Sequence, residues 1–337
     1  MAKGGSDKWK SKLLSSSLPL EFEIGKLLSR RGFAVSADFP YLRDDEGVPK
    51  EFSVDVDATW VVPTVPKVAA SCWLSLLVEC KYRRRGVSWL FLPDPDRGPL
   101  SLGMRGRTLR VVDEFSPWFV GRPKEQFDAF MARGYKGTEI DTEDGGVDDS
   151  RLRRGLSQLQ HALPALLAER IRTAAVQHPA DNAPFVLAPI LVTNAPLVLA
   201  HRRLSMRHVE RVDTVAELGD EVPFLSVHVA TGPAFEQHVA TQARELPKYL
   251  GERGLVNAEE SRKTAGHPEY GLPATLIATL VNGITPFPLR HPFNQVIVCQ
   301  ANNLNELVTA IKAEAVKVNR SIQRERPKWG YRAKRAG

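Results

Sequence analysis

The run Trp73–Tyr82, WLSLLVECKY, constrains the fold more than any other stretch of the chain. It is apolar on both faces until Glu79, and a strand of that kind is stable only in a sheet covered on both sides. The chain must therefore build a sheet with other elements packed against each face, which is an α/β arrangement. With 337 residues, 43% of them apolar and 25% charged, there is enough material for such a core.

The surrounding pattern supplies the covering elements. Pro19–Arg31 is predicted to be a helix, with Leu20, Ile24, Leu27 and Leu28 on one face and Gly32 as its stop. Phe33–Leu42 reads as a strand followed by a polar loop at Arg43–Lys50. Phe52–Val62 alternates Phe52, Val54, Val56 and Ala58 with Ser53, Asp55, Asp57 and Thr59, a period-two strand. An extended hairpin through Val61–Ser71 joins it to the apolar run. Further strands are expected at Trp89–Leu92 and Thr108–Phe115, and a helix at Pro123–Arg133. Thr138–Asp149 holds six acids and no base, and is expected to be an exposed, mobile loop. Ser150–Arg172 is a long amphipathic helix with Pro164 inside, and Phe185–Thr193 is a buried strand. In the second half, Pro233–Leu250 and Asn302–Ile322 read as helices and Gln295–Gln300 as a strand.

Composition removes several classes of function. Three cysteines, none in a CxxC spacing, give neither a disulfide framework nor a zinc site. No HExxH, GxxxxGK[ST] or GxGxxG is present, so zinc-protease, P-loop and dinucleotide chemistry have no support. The most apolar stretch, Pro184–Ala200, carries three prolines and reads as paired strands rather than a membrane span. The N-terminus is basic with no apolar core behind it, so a soluble, cytoplasmic protein without membrane attachment is expected.

Formal net charge is +7, and most of it lies at the ends. Residues 1–12 hold four lysines against Asp7, and residues 320–337 hold seven Lys and Arg against Glu325, which leaves the body near neutral. Basic ends, the second with Trp329 and Tyr331 among its charges, suit a polyanion; they are also what two solvated tails look like.

One cluster carries chemistry. Asp55 and Asp57 are two apart on one strand, and Glu79 and Lys81 are two apart on the next, so each pair shares a face. Adjacent strands would bring two or three carboxylates and one ammonium together. Crowded carboxylates repel and need a partner, and a hard divalent cation with oxygen ligands is such a partner. A lysine beside the metal can orient water and offset charge on a scissile phosphate. The bland readings stand beside this one: Glu79–Lys81 as a surface ion pair, Cys80 as a small core residue, and Gln158 as a polar residue on an outer helix face.

The ordered set of a first-helix glutamate, Asp55 and Glu79-Cys80-Lys81 resembles the PD-(D/E)XK nuclease superfamily. That resemblance covers roughly residues 1–194. It implies a restriction-endonuclease-like αβββαβ core, a mixed central sheet flanked by helices, with an insertion and a C-terminal α/β extension. The implied organisation is a basic segment at 1–18, a core at 19–200 with an insertion at 83–150, an extension at 201–323 and a basic tail at 324–337. Carried over, Asp55 and Glu79 would be metal ligands with Asp57 beside them, and Lys81 the catalytic lysine. Glu23 would be the helix glutamate, with Glu21 as its alternative, and Gln158 the glutamine of the later helix, with Gln160 second. The longish gap from Asp55 to Glu79 and the long insertion depart from the family's pattern.

The implied activity is Mg²⁺-dependent hydrolysis of DNA phosphodiesters, with Mn²⁺ able to substitute and RNA a lesser substrate, in restriction or phage defence. Arg83, Arg84 and Arg85, together with Lys328 and Arg332 of the tail, would hold phosphates, and Arg105, Arg107 and Arg110 would extend the track. A homodimer or a larger defence complex would suit the cutting of both strands. The other class of function is a non-catalytic nucleic-acid-binding or assembly subunit that retains the fold.

Overall fold

The computed structural model describes residues 6–45, 47–63, 72–95, 110–112, 131–177, 185–252 and 294–329. The chain is α/β, with a mixed, largely open sheet flanked by helices. The helices are α1 (Ser6–Ser15), α2 (Leu18–Arg30), α3 (Ser150–Gln177), α4 (Pro233–Glu252) and α5 (Leu304–Trp329), with a single helical turn at Met206–Val209. The strands are β1 (Ala34–Asp45), β2 (Val48–Val62), β3 (Cys72–Lys81), β4 (Val87–Pro93), β5 (Arg110–Val112) and β6 (Ala132–Asp141). They continue with β7 (Val147–Asp148), β8 (Phe185–Thr193), β9 (Leu197–Ala200), β10 (Gly219–Glu221), β11 (Phe224–His228) and β12 (Gln295–Gln300).

The sheet order is β1-β2-β3-β8-β12-β11-β6-β4-β9-β10, with β5 on β8 and β7 on β6. β1, β2 and β3 are antiparallel neighbours, while β3–β8 and β8–β12 are parallel. The insertion and the C-terminal half both feed this one sheet, through β4–β7 and β9–β12. β3 sits inside it, buried along nearly its whole length, as its two apolar faces require.

Two cores lie on opposite faces. One packs Leu77, Trp89, Phe91, Leu191 and Val298 against Leu159, Leu163 and Leu166 of α3 and Phe235 of α4. The other packs Val56, Leu74, Leu76, Val78 and Cys80 against Leu20, Ile24 and Leu28 of α2 and Leu307, Val308 and Ile311 of α5. Each fully buried leucine contributes roughly 2 kcal/mol by leaving water, so these faces hold the layers together. α3 runs through Pro164 as one continuous helix. Among the described residues, no helix is long and apolar enough to cross a membrane.

Several local expectations are corrected. Arg43–Asp45 and Val48–Lys50 are strand rather than loop, paired with each other. Pro184–Ala200 does yield strands, but β8 and β9 pair with other strands and not with each other. Thr138–Asp141 completes β6 and Val147–Asp148 pairs back on it, so the acidic stretch is a hairpin and not an open loop. Residues 64–71, Arg105, Arg107, Tyr331, Arg332 and residues 123–130 of the expected helix lie outside the described residues; that helix's last residues, Ala132–Arg133, open β6 instead.

Where α3 meets α4, two histidines are buried. The His161 ring lies 5.2 Å from Phe235 and 5.4 Å from His238, and its Nδ1 is 2.9 Å from the Ser157 carbonyl oxygen. His238 Nε2 is 2.8 Å from the His161 carbonyl oxygen. Burial pushes His161 down to about 4 and His238 down as well, with Arg43 opposing protonation of both. A histidine held neutral in the folded chain costs stability as pH falls from about 6.5, where the unfolded ring takes its proton, toward 4. His161→Asn should therefore remove a pH-dependent loss of about 3 kcal/mol across that window. Urea unfolding of parent and variant at pH 7.5, 6 and 4.5 measures it. A difference between the two that stays constant with pH would show that the ring does not titrate this way.

Candidate active site

β2 and β3 are paired from Val62↔Cys72 to Val56↔Val78, and the ladder stops there. Asp55 is the first residue of β2 past the last pair, and its Oδ2 accepts the Cys80 N–H at 2.6 Å. β3 itself continues, with Glu79 opposite Leu191 and Lys81 opposite Thr193 on β8. The strand end thus has one edge held by β8 and the other opened to a carboxylate. Across the β1–β2 ladder, Asp38 takes a positive φ of 55° and is skipped in the pairing. Val54 falls into the α3-side core and Val56 into the opposite one, so the alternation breaks at Asp55.

Glu79 is completely buried. Its Oε1 accepts a hydrogen bond from Lys81 Nζ, and its Oε2 is buried with no hydrogen-bond partner among the described residues. Burial, then the charge of Asp55, pushes Glu79 up to about 7, with Lys81 pulling the other way. Asp55 is also raised, by burial above all, although the Cys80 N–H and Lys81 oppose that. Such a set holds more negative charge than its surroundings can satisfy. Lys81 remains partly exposed, 20% at its side chain, so the ammonium reaches from a buried carboxylate toward solvent. A methyl group at Gly155 would sit 2.8 Å from Leu191 Cδ1 and 3.4 Å from Lys81 Cε, so α3 passes close to β3 and β8 here.

Glu21, in the first turn of α2, feels the same charges. Burial, then Asp55 and Asp38, raises it to about 7, while Lys81 lowers it. Glu23 is exposed on another face of the helix, which corrects the choice between the two. The α1–α2 elbow is tied to the same strand end: Ser17 Oγ accepts the Tyr82 N–H at 3.0 Å.

Other expected residues do different work. Asp57 is not part of the carboxylate group. Arg170 Nη2 lies 2.9 and 2.6 Å from its two oxygens, and the same guanidinium donates to Thr59 Oγ1 and Ser75 Oγ at 3.0 and 3.2 Å. Gln158 donates to the Ser53 carbonyl at 3.2 Å and leaves its Oε1 buried without a partner, so it braces β2 beside the site. Gln160 faces the Val229 and Ala230 carbonyls instead. Tyr41, whose hydroxyl is buried without a partner, feels the charge of Glu79, and burial pushes that phenol up. Cys80 turns into the α2-side core, and burial keeps its thiol protonated, as a core residue requires.

The arginine cluster is divided. Arg83 is only 4% exposed; its Nε lies 2.5 Å from Glu139 Oε2, and its backbone is clasped by the Asn194 amide at 2.6 and 2.7 Å. Arg84 is held by Asp141, Glu143 and Asp144 of the acidic hairpin. These two are not open phosphate contacts, because carboxylates already occupy them. Among the described residues, Arg85 alone of the three is exposed without such a partner. The side chains of Arg110 and Lys328 lie outside the described residues, although the backbone of each is in β5 and α5.

Among the described residues, no group of three or more His, Cys, Asp or Glu side chains is arranged to hold a metal ion. Comparison with protein-family models, curated proteins and solved structures gives no match for this chain.

Proposed function

We propose that this chain is a metal-dependent endonuclease of restriction-endonuclease-like fold, hydrolysing DNA phosphodiesters in cytoplasmic restriction or phage defence. The observation that carries the reading is the buried, unpartnered Glu79 Oε2 beside Asp55 and Lys81, at the open end of a strand covered on both faces. The donor chemistry fits Mg²⁺ or Mn²⁺, since Mg²⁺ commonly takes one or two carboxylates and completes its shell with water and phosphate. Asp55 and Glu79 would hold the ion. Bound there, the ion would supply Lewis-acid polarisation of the phosphodiester.

The chain's own residues have separate tasks in this reading. Lys81, anchored on Glu79 Oε1, places a positive charge where the scissile phosphate gains negative charge, and it orients the attacking water. Gln158 and the Cys80 N–H fix the approach of β2, so that Asp55 stays beside β3. A second reading, a non-catalytic nucleic-acid-binding subunit, is favoured by the lack of any three-ligand group among the described residues. Incubating the purified chain with supercoiled plasmid separates the two. Nicking that requires millimolar Mg²⁺ and stops with chelator is expected; plasmid binding without nicking in either Mg²⁺ or Mn²⁺ would leave the subunit reading.

A further inference from the structure

The outer faces of α1 and α2 carry several exposed large apolar side chains. On α2, Leu18, Phe22 and Lys26 recur every fourth residue and so form one stripe, with Leu18 57% and Phe22 68% exposed. On α1, Trp9 is 57% exposed, and Leu13, one turn on, is also exposed. Large apolar side chains left in water mark a contact surface when they gather. These two aromatics each lie near a cation: Lys26 Nζ is 5.3 Å from the Phe22 ring centroid and Lys10 Nζ 5.9 Å from that of Trp9. Residues 8–15 contain three lysines and no acid.

The position of this face matters as much as its composition. Ser17, at the elbow with φ 64°, is hydrogen-bonded to the residue directly after Lys81, and Glu21 of the next turn feels the charges of Asp55 and Lys81. Phe22 is adjacent to Glu21. Trp9 lies eight residues before the elbow, about 12 Å along a helix. Arg83 and Arg84 face acids, whereas the lysines of α1 and Lys26 of α2 are exposed, with Glu21 and Glu23 on either side of Phe22.

We infer that the α1–α2 face is a binding surface for single-stranded nucleic acid, in which Trp9 and Phe22 stack on bases while Lys8, Lys12 and Lys26 contact phosphates on the way to Glu21, Asp55 and Glu79. The inference rests on the nuclease reading for its connection to chemistry, and on the face itself for binding. Exposed aromatic rings beside lysines are what unpaired bases need, because every base offers a flat face and every step a charge. A duplex would hide those base faces, so the surface selects unpaired strand.

The test is fluorescence anisotropy of a labelled single-stranded oligodeoxynucleotide, and of its duplex, titrated with the full chain in chelator so that no cutting occurs. Trp9→Ala and Phe22→Ala should each weaken single-strand binding about 5- to 100-fold, with Trp9→Phe restoring most of it. Lys8→Gln combined with Lys12→Gln should lower the slope of log affinity against log salt by about 1.4. All four positions are exposed, and circular dichroism checks that the variants fold. Unchanged affinity and slope in variants that still nick plasmid would overturn the surface and leave the nuclease reading intact. Intact single-strand binding by a parent that never nicks would do the reverse. Variants that lose binding to phosphatidylserine vesicles while keeping oligonucleotide affinity would also overturn it.

Discussion

Lys81→Ala is expected to give a folded chain that binds DNA nearly as the parent does and cuts it at least about a hundredfold more slowly. The ammonium contacts Glu79 Oε1 and reaches solvent, so its role in the proposed reaction is with charge that develops during phosphate transfer. Removing a group of that kind lowers turnover and leaves ground-state affinity alone. Glu79 would lose the hydrogen bond from Lys81, and a fully buried carboxylate with fewer donors is costly when charged. Its ionisation is already pushed up to about 7 by burial and Asp55, and Lys81 is what opposes this. Without the lysine, protonation comes more easily, which limits the loss of stability. Single-turnover cleavage of plasmid together with oligonucleotide affinity in chelator separates the two effects. A variant that cuts within threefold of the parent would remove Lys81 from the mechanism. Equal losses in cutting and affinity would make it a binding residue.

The site was legible where its signal is local. The apolar run ending in Glu79-Cys80-Lys81 can only be an inner strand, and the alternation of residues 52–62 sets the strand beside it. The choice between Glu21 and Glu23 was also within reach. At 100° per residue, Glu21 lies about 60° from Ile24, the centre of the buried stripe of α2, and Glu23 about 100° away. The flanking position is the one that turns toward the sheet. What the sequence concealed depends on partners distant along the chain. Nothing near Asp57 announces Arg170, 113 residues later. β6 was hidden for a packing reason: a methyl group at Gly137 would come within 2.6 Å of the Phe91 ring, so the strand carries glycine where its pattern should show a side chain. Once β6 is in place, its acidic hairpin faces the arginines after β3, and a stretch that reads as a loose acidic loop becomes their counter-charge.

The Asp57–Arg170 pair distinguishes a structural carboxylate from a ligand. The two side chains are only 13% and 11% exposed, and the guanidinium also donates to Thr59 and Ser75, tying α3 to β2 and β3 at once. Arg170→Met should destabilise the chain by about 3 kcal/mol, because a carboxylate is left buried without its cation. Burial already raises Asp57, and Arg170 is what pulls it back. In the variant the carboxyl therefore rises further. A carboxyl raised by folding is stabilising in its protonated form below that value, so the deficit should shrink as pH falls. Asp57→Asn alone leaves the arginine buried and costs a similar amount, whereas Asp57→Asn with Arg170→Met removes both charges and should recover most of the loss. Urea unfolding of the four chains at pH 7.5 and 5 reads the cycle, and the Mg²⁺ concentration for half-maximal plasmid nicking reads the chemistry. The double variant should keep the parent's Mg²⁺ requirement within about threefold, since Asp55 and Glu79 are untouched. A tenfold rise in that requirement, with the fold intact, would return Asp57 to the metal.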